Sequence, residues 1–239
     1  MKALLSIVFV FCFKEAAASN PLDEITACRK GDLECSTKTG KILMGVIVNG
    51  NEDLDIQRND PIHQDSVEMD ISTLKYKLRD VSTYGFTTCS VETAEITETF
   101  FNIDLLCKNF TVFGQYEING TLLSLPLRGK GDFRVFGLDY GLKWKMLLKQ
   151  AAGKDGKTHL AIKNFTFLAD LKGTFEIYLG NLFDGQKELT DQFNKLMSEN
   201  GKAAANEVQG PVFEANLKSF AKHLNKCFKY IPMDKILKE

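Results

Sequence analysis

The side chains able to do chemistry in this 239-residue chain are few and scattered, with six cysteines and three histidines. His63, His159 and His223 fall in three separate segments. None of them offers a convincing set of His, Asp or Glu at the spacing that puts metal ligands on one face, so no metal and no cofactor are expected. Gly-x-Ser-x-Gly, His-Glu-x-x-His and Walker-type runs are absent from the sequence. No catalysis is expected. A Ser-His-Asp triad assembles in space rather than in sequence, so the alternative is an esterase-type hydrolase acting on lipophilic esters. Gly129-Lys-Gly-Asp132 has the glycines of a phosphate loop, but no helix follows whose N-terminus would hold an anion. A tight turn is the expectation there.

The remaining chemistry belongs to export. Met1 to Ala18 has the build of a secretory signal peptide. Lys2 provides the positive start, Ala3 to Phe13 the apolar run, and Ala16-Ala17-Ala18 the small residues at the cleavage site. That run is too short to span a bilayer and no later segment replaces it, so a secreted protein without stable membrane insertion is expected. Removal of Cys12 leaves Cys28, Cys35, Cys89, Cys107 and Cys227 in an oxidising compartment. An odd count leaves at least one thiol free or paired between chains. Export also gives meaning to three sequons, at Asn109, Asn119 and Asn164, each expected as a glycosylation site.

The elements that hold these residues follow from hydrophobic period. Leu189, Phe193, Met197, Val208, Val212, Phe213, Leu217, Phe220, Leu224 and Phe228 recur at three- and four-residue steps. That spacing predicts one long amphipathic helix from Leu189 to Leu237, kinked at Gly210-Pro211. A shorter helix is expected near Ile42, Leu43, Val46 and Ile47. Between them the period is two. Val67, Met69 and Ile71 give way to Leu74, Tyr76 and Leu78 in shifted phase, which suggests a bulge. Strands are expected over Tyr84–Ile96 and Phe100–Cys107, then Phe110–Leu127 and Phe133–Leu148. Lys154-Asp-Gly-Lys157 reads as a hairpin turn before His159–Ala169 and Leu171–Leu179. If the chain turns near Glu98, Cys89 and Cys107 lie opposite each other and can bond, leaving Cys227 free. The rival pairing joins Cys227 to either strand cysteine.

Thirty Lys and Arg against 31 Asp and Glu, with no basic run interleaved with aromatics, argue against nucleic acid as a partner. Eighteen phenylalanines give much apolar area either to pack or to line a cavity. A half-exposed sheet and one apolar helix bury each other when the sheet wraps the helix. Composition alone favours a solid interior.

In succession, the chain resembles the insect takeout and juvenile-hormone-binding protein family. The resemblance rests on the leader, Cys28-x6-Cys35, Asp60-Pro61-Ile62, Gly114-Gln-Tyr-Glu-Ile-Asn-Gly120 and Leu125-Pro-Leu-Arg-Gly-Lys-Gly-Asp-Phe133. It continues through Lys157-Thr-His-Leu-Ala-Ile162, Leu182-Phe-Asp-Gly-Gln-Lys-Glu-Leu189, Ser198-Glu-Asn200, Pro211 and Phe228-Lys-Tyr-Ile-Pro232. Where that family carries a tryptophan after the Ser198-Glu-Asn200 segment, this chain has Gly201. The resemblance implies an α+β fold, a long C-terminal helix wrapped by a highly curved antiparallel sheet around an elongated hydrophobic tunnel, with residues 19–239 as a single domain. It reverses the preference for a solid interior. It implies a Cys28–Cys35 disulfide, and a carrier of a small lipophilic ligand such as a juvenile-hormone-like terpenoid or a fatty acid. Expected ligand contacts are Tyr116, Val135, Tyr140, Phe165, Phe213, Leu217 and Phe220, with Tyr116, Tyr140 and Tyr178 as polar anchors. The sequence names no receptor.

Overall fold

A computed structural model describes residues 20–70 and 73–238 of the chain. The expected leader, with Cys12, lies outside the described residues. The first elements are a short strand β1 (Cys28–Arg29) and helix α1 (Leu33–Asn49). Asp32 caps α1 by accepting from the Cys35 backbone N–H at 3.0 Å, and Gly50 ends it at φ 89°. The buried face of α1 carries Leu43, Met44, Val46 and Ile47.

Seven further strands form one antiparallel sheet: β2 (Ile62–Asp70), β3 (Leu74–Tyr84), β4 (Cys89–Ile96), β5 (Phe100–Leu122), β6 (Leu125–Ala152), β7 (Thr158–Leu171) and β8 (Phe175–Leu179). Their order is β2-β3-β5-β6-β7, with β4 added on β5 and β8 on β6. At roughly 3.3 Å per residue, β5 and β6 would each run well over 70 Å if straight, so they must curl. They change partners along their length. Phe101 to Cys107 of β5 pairs with β4, and Thr111 to Gly120 pairs with β3. Phe133 to Gly137 of β6 pairs with β8, and Tyr140 to Ala152 pairs with β7. The β5–β6 ribbon therefore has two ends with different neighbours.

The C-terminal region is α2 (Lys187–Glu199), α3 (Gly201–Val208), α4 (Gly210–Tyr230), α5 (Met233–Ile236) and β9 (Leu237–Lys238), which pairs in parallel with β1. Helix α4 contacts β2 at one edge of the sheet and β7 at the other. Gln64 Nε2 donates to the Ala215 carbonyl at 3.4 Å, and the Ile162 N–H donates to Asn225 Oδ1 at 2.8 Å. Both edges reach one helix, so the sheet wraps it.

Four local expectations are corrected. The single helix is broken at Asn200 (φ −116°, ψ 27°), because the backbone at Gly201 passes so close to β8 that a Cβ there would lie 2.9 Å from Phe175 Cβ. It ends at Ile231, held extended before Pro232, not at Leu237. The break at Gln209 keeps helical angles, so Gly210-Pro211 is the expected kink. Gly129-Lys-Gly-Asp132 lies inside β6, and the turn falls at Leu123 and Ser124, both at positive φ. A Cβ on Gly131 would sit 2.4 Å from the Gly180 carbonyl, so that glycine serves a close backbone approach. The phase shift after Met69 separates two paired strands, with Asp70 opposite Lys75, and the β3 irregularity falls between Arg79 and Ser82. Tyr84–Ile96 is not one strand: Gly85 turns at φ 123°, and the Asp60 carboxylate accepts from the Gly85 and Thr87 N–H groups at 3.0 and 2.7 Å.

Candidate functional site

Between the kinked helices and the β3/β8 end of the ribbon lies an almost wholly apolar cavity of about 90 Å³. From β3 it is lined by Tyr76, Leu78 and Thr83, and from β5 by Phe110, Val112, Tyr116, Ile118 and Leu122. Strand β6 contributes Phe133, Val135, Gly137 and Tyr140, and β8 contributes Phe175, Ile177 and Leu179. The helical wall is Val208, Gln209, Val212, Phe213 and Asn216, spaced so that all share one helix face. Phe110, Tyr140 and Phe213 meet edge to face or tilted, with centroids 5.3 to 5.5 Å apart, and form its inner floor. Val112, Val135, Ile177, Val208 and Val212 stay only partly buried among these rings, so part of the wall is short β-branched side chains beside unfilled space.

Few polar atoms face this space, and their states are fixed by burial. The Tyr76 hydroxyl donates to the Val208 carbonyl at 2.8 Å and the Tyr116 hydroxyl to the Gly180 carbonyl at 2.9 Å. Burial pushes Tyr116 up to about 12, with Tyr178 adding to the effect, and moves Tyr76 and Tyr140 up as well. All three therefore remain protonated donors. The Tyr140 hydroxyl has no hydrogen-bond partner among the described residues, so it is the tyrosine left free for a ligand. Gln209 Nε2 donates to the Ala169 carbonyl of β7 at 3.0 Å. With Tyr76 holding Val208 from β3, the α3–α4 junction is tied to strands on both sides of the cavity.

Tyr116, Val135, Tyr140 and Phe213 stand on this wall. Three other expected contacts do not. Leu217 and Phe220 are fully buried in packed core. Phe165 stacks edge-on against Trp144 at 5.9 Å, away from the cavity. Leu217 and Phe220 share the helix stripe of Phe213 but lie farther along the axis, at about 1.5 Å per residue, and so reach the filled end. Tyr178 is 56% exposed and points outward, while its neighbour Ile177 points in, as strand alternation demands. Sequence reasoning missed the remaining lining, and most notably Gln209 and Asn216. A signal existed: both are amides on the same stripe as Val212 and Phe213, where an apolar side chain is the default.

The opposite end of the ribbon is solid. Trp144, Phe220 and Phe228 are each at 0% exposure, and Phe220 packs on Phe86 at 4.6 Å. Cys28 is bonded to Cys35 (S–S 2.04 Å), and Cys89 to Cys107, which face each other across β4 and β5. Cys227 is free and buried, and burial pushes its thiol up to about 12. Among the sequons, Asn119 and Asn164 are exposed and Asn109 is half-buried. His159 bonds the Phe228 carbonyl at 2.8 Å and Asp155 at 3.0 Å, and His223 Nδ1 meets Asn59 Nδ2 at 2.8 Å. The Ser82 hydroxyl lies 3.0 Å from His63 Nδ1. Among the described residues no carboxylate bonds the other nitrogen of that ring, so the pair lacks the orienting acid of a triad. No group of three His, Cys, Asp or Glu is placed to hold a metal, and no helix is long and apolar enough to cross a membrane, among the described residues.

This architecture has known counterparts. Takeout 1 of Epiphyas postvittana, solved as a crystal structure, superposes with a TM-score of 0.81 over 90% of this chain and 100% of its own, at 24% identity. The circadian clock-controlled protein daywake of Drosophila melanogaster is 24% identical over 249 residues, covering 97% of this chain and 93% of its own. Daywake of Drosophila yakuba is 30% identical over 127 residues, 53% of this chain and 48% of its own. A family model, haemolymph juvenile hormone binding protein, matches residues 6–238. With all but the ends matched, and with the wrapped helix and apolar cavity of its fold in place, the chain belongs to the haemolymph juvenile hormone binding protein family, a family of ligand carriers rather than of enzymes.

Proposed function

We propose that this protein is a secreted, glycosylated carrier that holds one small lipophilic ligand in the cavity between α3–α4 and the β3/β8 end of the sheet, without catalysis. The observation that carries the reading is an apolar cavity at one end of a molecule whose other end is centred on the wholly buried Trp144, Phe220 and Phe228. Residues 1–18 act as the export signal, and residues 19–239 form one domain. An apolar wall gains mainly by removing ligand from water, at roughly 25 cal/mol per Å². A space of about 90 Å³ is tighter than the engineered cavity of about 150 Å³ that takes a benzene ring, so a terpenoid or fatty acyl chain seats by moving the half-buried valines of the wall.

Native mass spectrometry of the protein from its own source tests this. The expected result is a bound species removable by organic solvent, at one per chain. A clean apoprotein that also fails to take up a fluorescent fatty acid would end the carrier reading. Incubation with p-nitrophenyl esters is expected to give no turnover above an inert protein; turnover blocked by a serine reagent would restore the hydrolase.

A further inference from the structure

Four buried side-chain polar atoms among the described residues have no hydrogen-bond partner, Trp144 Nε1, Asn194 Oδ1, Gln209 Oε1 and Asn216 Oδ1, and the last two belong to the helical wall of the cavity. Asn216 is fully buried. Its Nδ2 donates to Thr83 Oγ1 at 3.1 Å, and Thr83, also on the wall, is itself almost fully buried in β3. Gln209 Nε2 is committed to the Ala169 carbonyl, an acceptor only, so its amide is oriented with the oxygen unpaired. The two residues are seven apart, two helical turns, and so project from the same face. A buried amide oxygen left unpaired costs stability. Leucine or valine at these stripe positions would avoid that cost. The fully buried one of the two, Asn216 Oδ1, therefore points to a ligand that supplies its missing donor.

Resting on the carrier reading above, we propose that the cavity selects a lipophilic alcohol, whose hydroxyl donates to Asn216 Oδ1 and accepts from the Thr83 hydroxyl at the inner end while its hydrocarbon lies along the valine wall. A hydroxyl does both, because it carries one donor and two acceptor lone pairs. An ester, ether or epoxide offers acceptors alone and leaves the Asn216 oxygen unpaired. A hydrocarbon leaves the whole pair unpaired. The polar head thus points inward, toward Phe110 and Tyr140, where the Tyr140 hydroxyl is a further donor free to the same group.

The test is displacement of N-phenylnaphthylamine from the full-length protein by decanol, methyl nonanoate and decane, ligands of near-equal apolar area. Decanol is expected to bind about tenfold more tightly than the other two. Asn216→Leu is expected to bring the decanol-to-decane affinity ratio, read within the one variant, from about tenfold to about one, and a cooperative melting transition shows that the variant folds. Thr83→Val is expected to narrow the gap in the same direction. Without ligand, the double variant with both changes is expected to melt no lower than the parent, because its unpaired amide is gone. Equal binding of the three ligands, a preference for the ester, or a decanol preference that survives Asn216→Leu would overturn the proposal while leaving the carrier reading intact. Failure of the dye and all three ligands to bind would overturn the carrier reading and this proposal together.

Discussion

At the end of the β5–β6 ribbon flanked by β4 and β7, Phe220 packs on Trp144 and Phe86, Phe228 packs on Phe101, and the Cys89–Cys107 bond spans the strands. At the end flanked by β3 and β8, Val135, Ile177 and Val212 surround open space, and two amides sit on the helix face that elsewhere is apolar. Both ends use the same two long strands and the same helix stripe. The difference is not ring content, since Phe110, Tyr140, Phe175 and Phe213 also line the cavity. It is coverage, because Val112, Val135, Ile177, Val208 and Val212 stay half-buried between helix and sheet there, whereas Trp144, Phe220 and Phe228 are wholly covered. Protein interiors are otherwise packed like organic crystals. A fold that keeps a gap at one end needs surplus stability at the other, and the disulfide and aromatic cluster supply it.

The largest expected effect lies in the filled end. Phe220→Ala should lower unfolding stability in urea by about 3–5 kcal/mol, since its ring is wholly buried against Phe86 and Trp144. Ligand affinity of the folded fraction should stay near that of the parent. A variant with unchanged stability but lost binding would show that the two ends have been assigned the wrong way round.

Next comes the covalent tie. Cys89→Ala with Cys107→Ala should cost about 2–4 kcal/mol, and removal of the shorter Cys28–Cys35 loop less. Peptide mapping without reduction should recover Cys89 joined to Cys107. A fragment joining Cys227 to either would contradict the buried free thiol at Cys227.

At the cavity end the same kind of truncation should matter less for folding. Ile177→Ala removes a partly buried side chain beside existing space, so a loss at or below about 2 kcal/mol is expected by the same urea measurement. A loss as large as that of Phe220→Ala would mean that the cavity end is packed as tightly as the other.

The smallest effects are those of pH, and they separate two histidines that hold α4. Burial disfavours the charged form of His159, but the Phe228 carbonyl and the Asp155 carboxylate outweigh it and raise its pKa above the usual 6.5. Its contribution is full below pH about 6.5 and is lost as pH rises through the raised folded value. Burial, then Lys226 and Lys222, lowers the pKa of His223. Its contribution is present above pH about 6.5 and is lost as pH falls toward the folded value. Melting curves of His159→Gln should therefore diverge from the parent most on the acid side, and those of His223→Gln most on the basic side. Curves parallel to the parent at every pH would remove both roles.

Much of the fold was legible because period is local. The α1 face, the Lys154–Lys157 hairpin and the Pro211 kink follow from spacing within a few residues, and the facing of Cys89 and Cys107 from a single turn between adjacent strands. Errors arose where a distant segment decided the conformation. Gly129 and Gly131 look like a turn until Gly180 and Leu182 are laid against them, and Gly201 looks like helix interior until Phe175 is. The site was less legible for the same reason. Tyr116, Val135, Tyr140 and Phe213 were reachable by alternation and stripe, whereas Leu217 and Phe220 share that stripe but face rings instead of space. Which part of an apolar stripe is covered depends on side-chain volumes across the sheet, which one strand's period does not carry.

The most direct test of the account fills the gap. Val135→Phe places a ring in the cavity from the β6 wall, where space exists, so its stability should stay within about 1 kcal/mol of the parent. Titration with a fluorescent fatty acid should show one site per chain in the parent and no saturable binding in Val135→Phe. Equal affinity in the two proteins would contradict the placement of the ligand between α3–α4 and the β3/β8 end of the sheet.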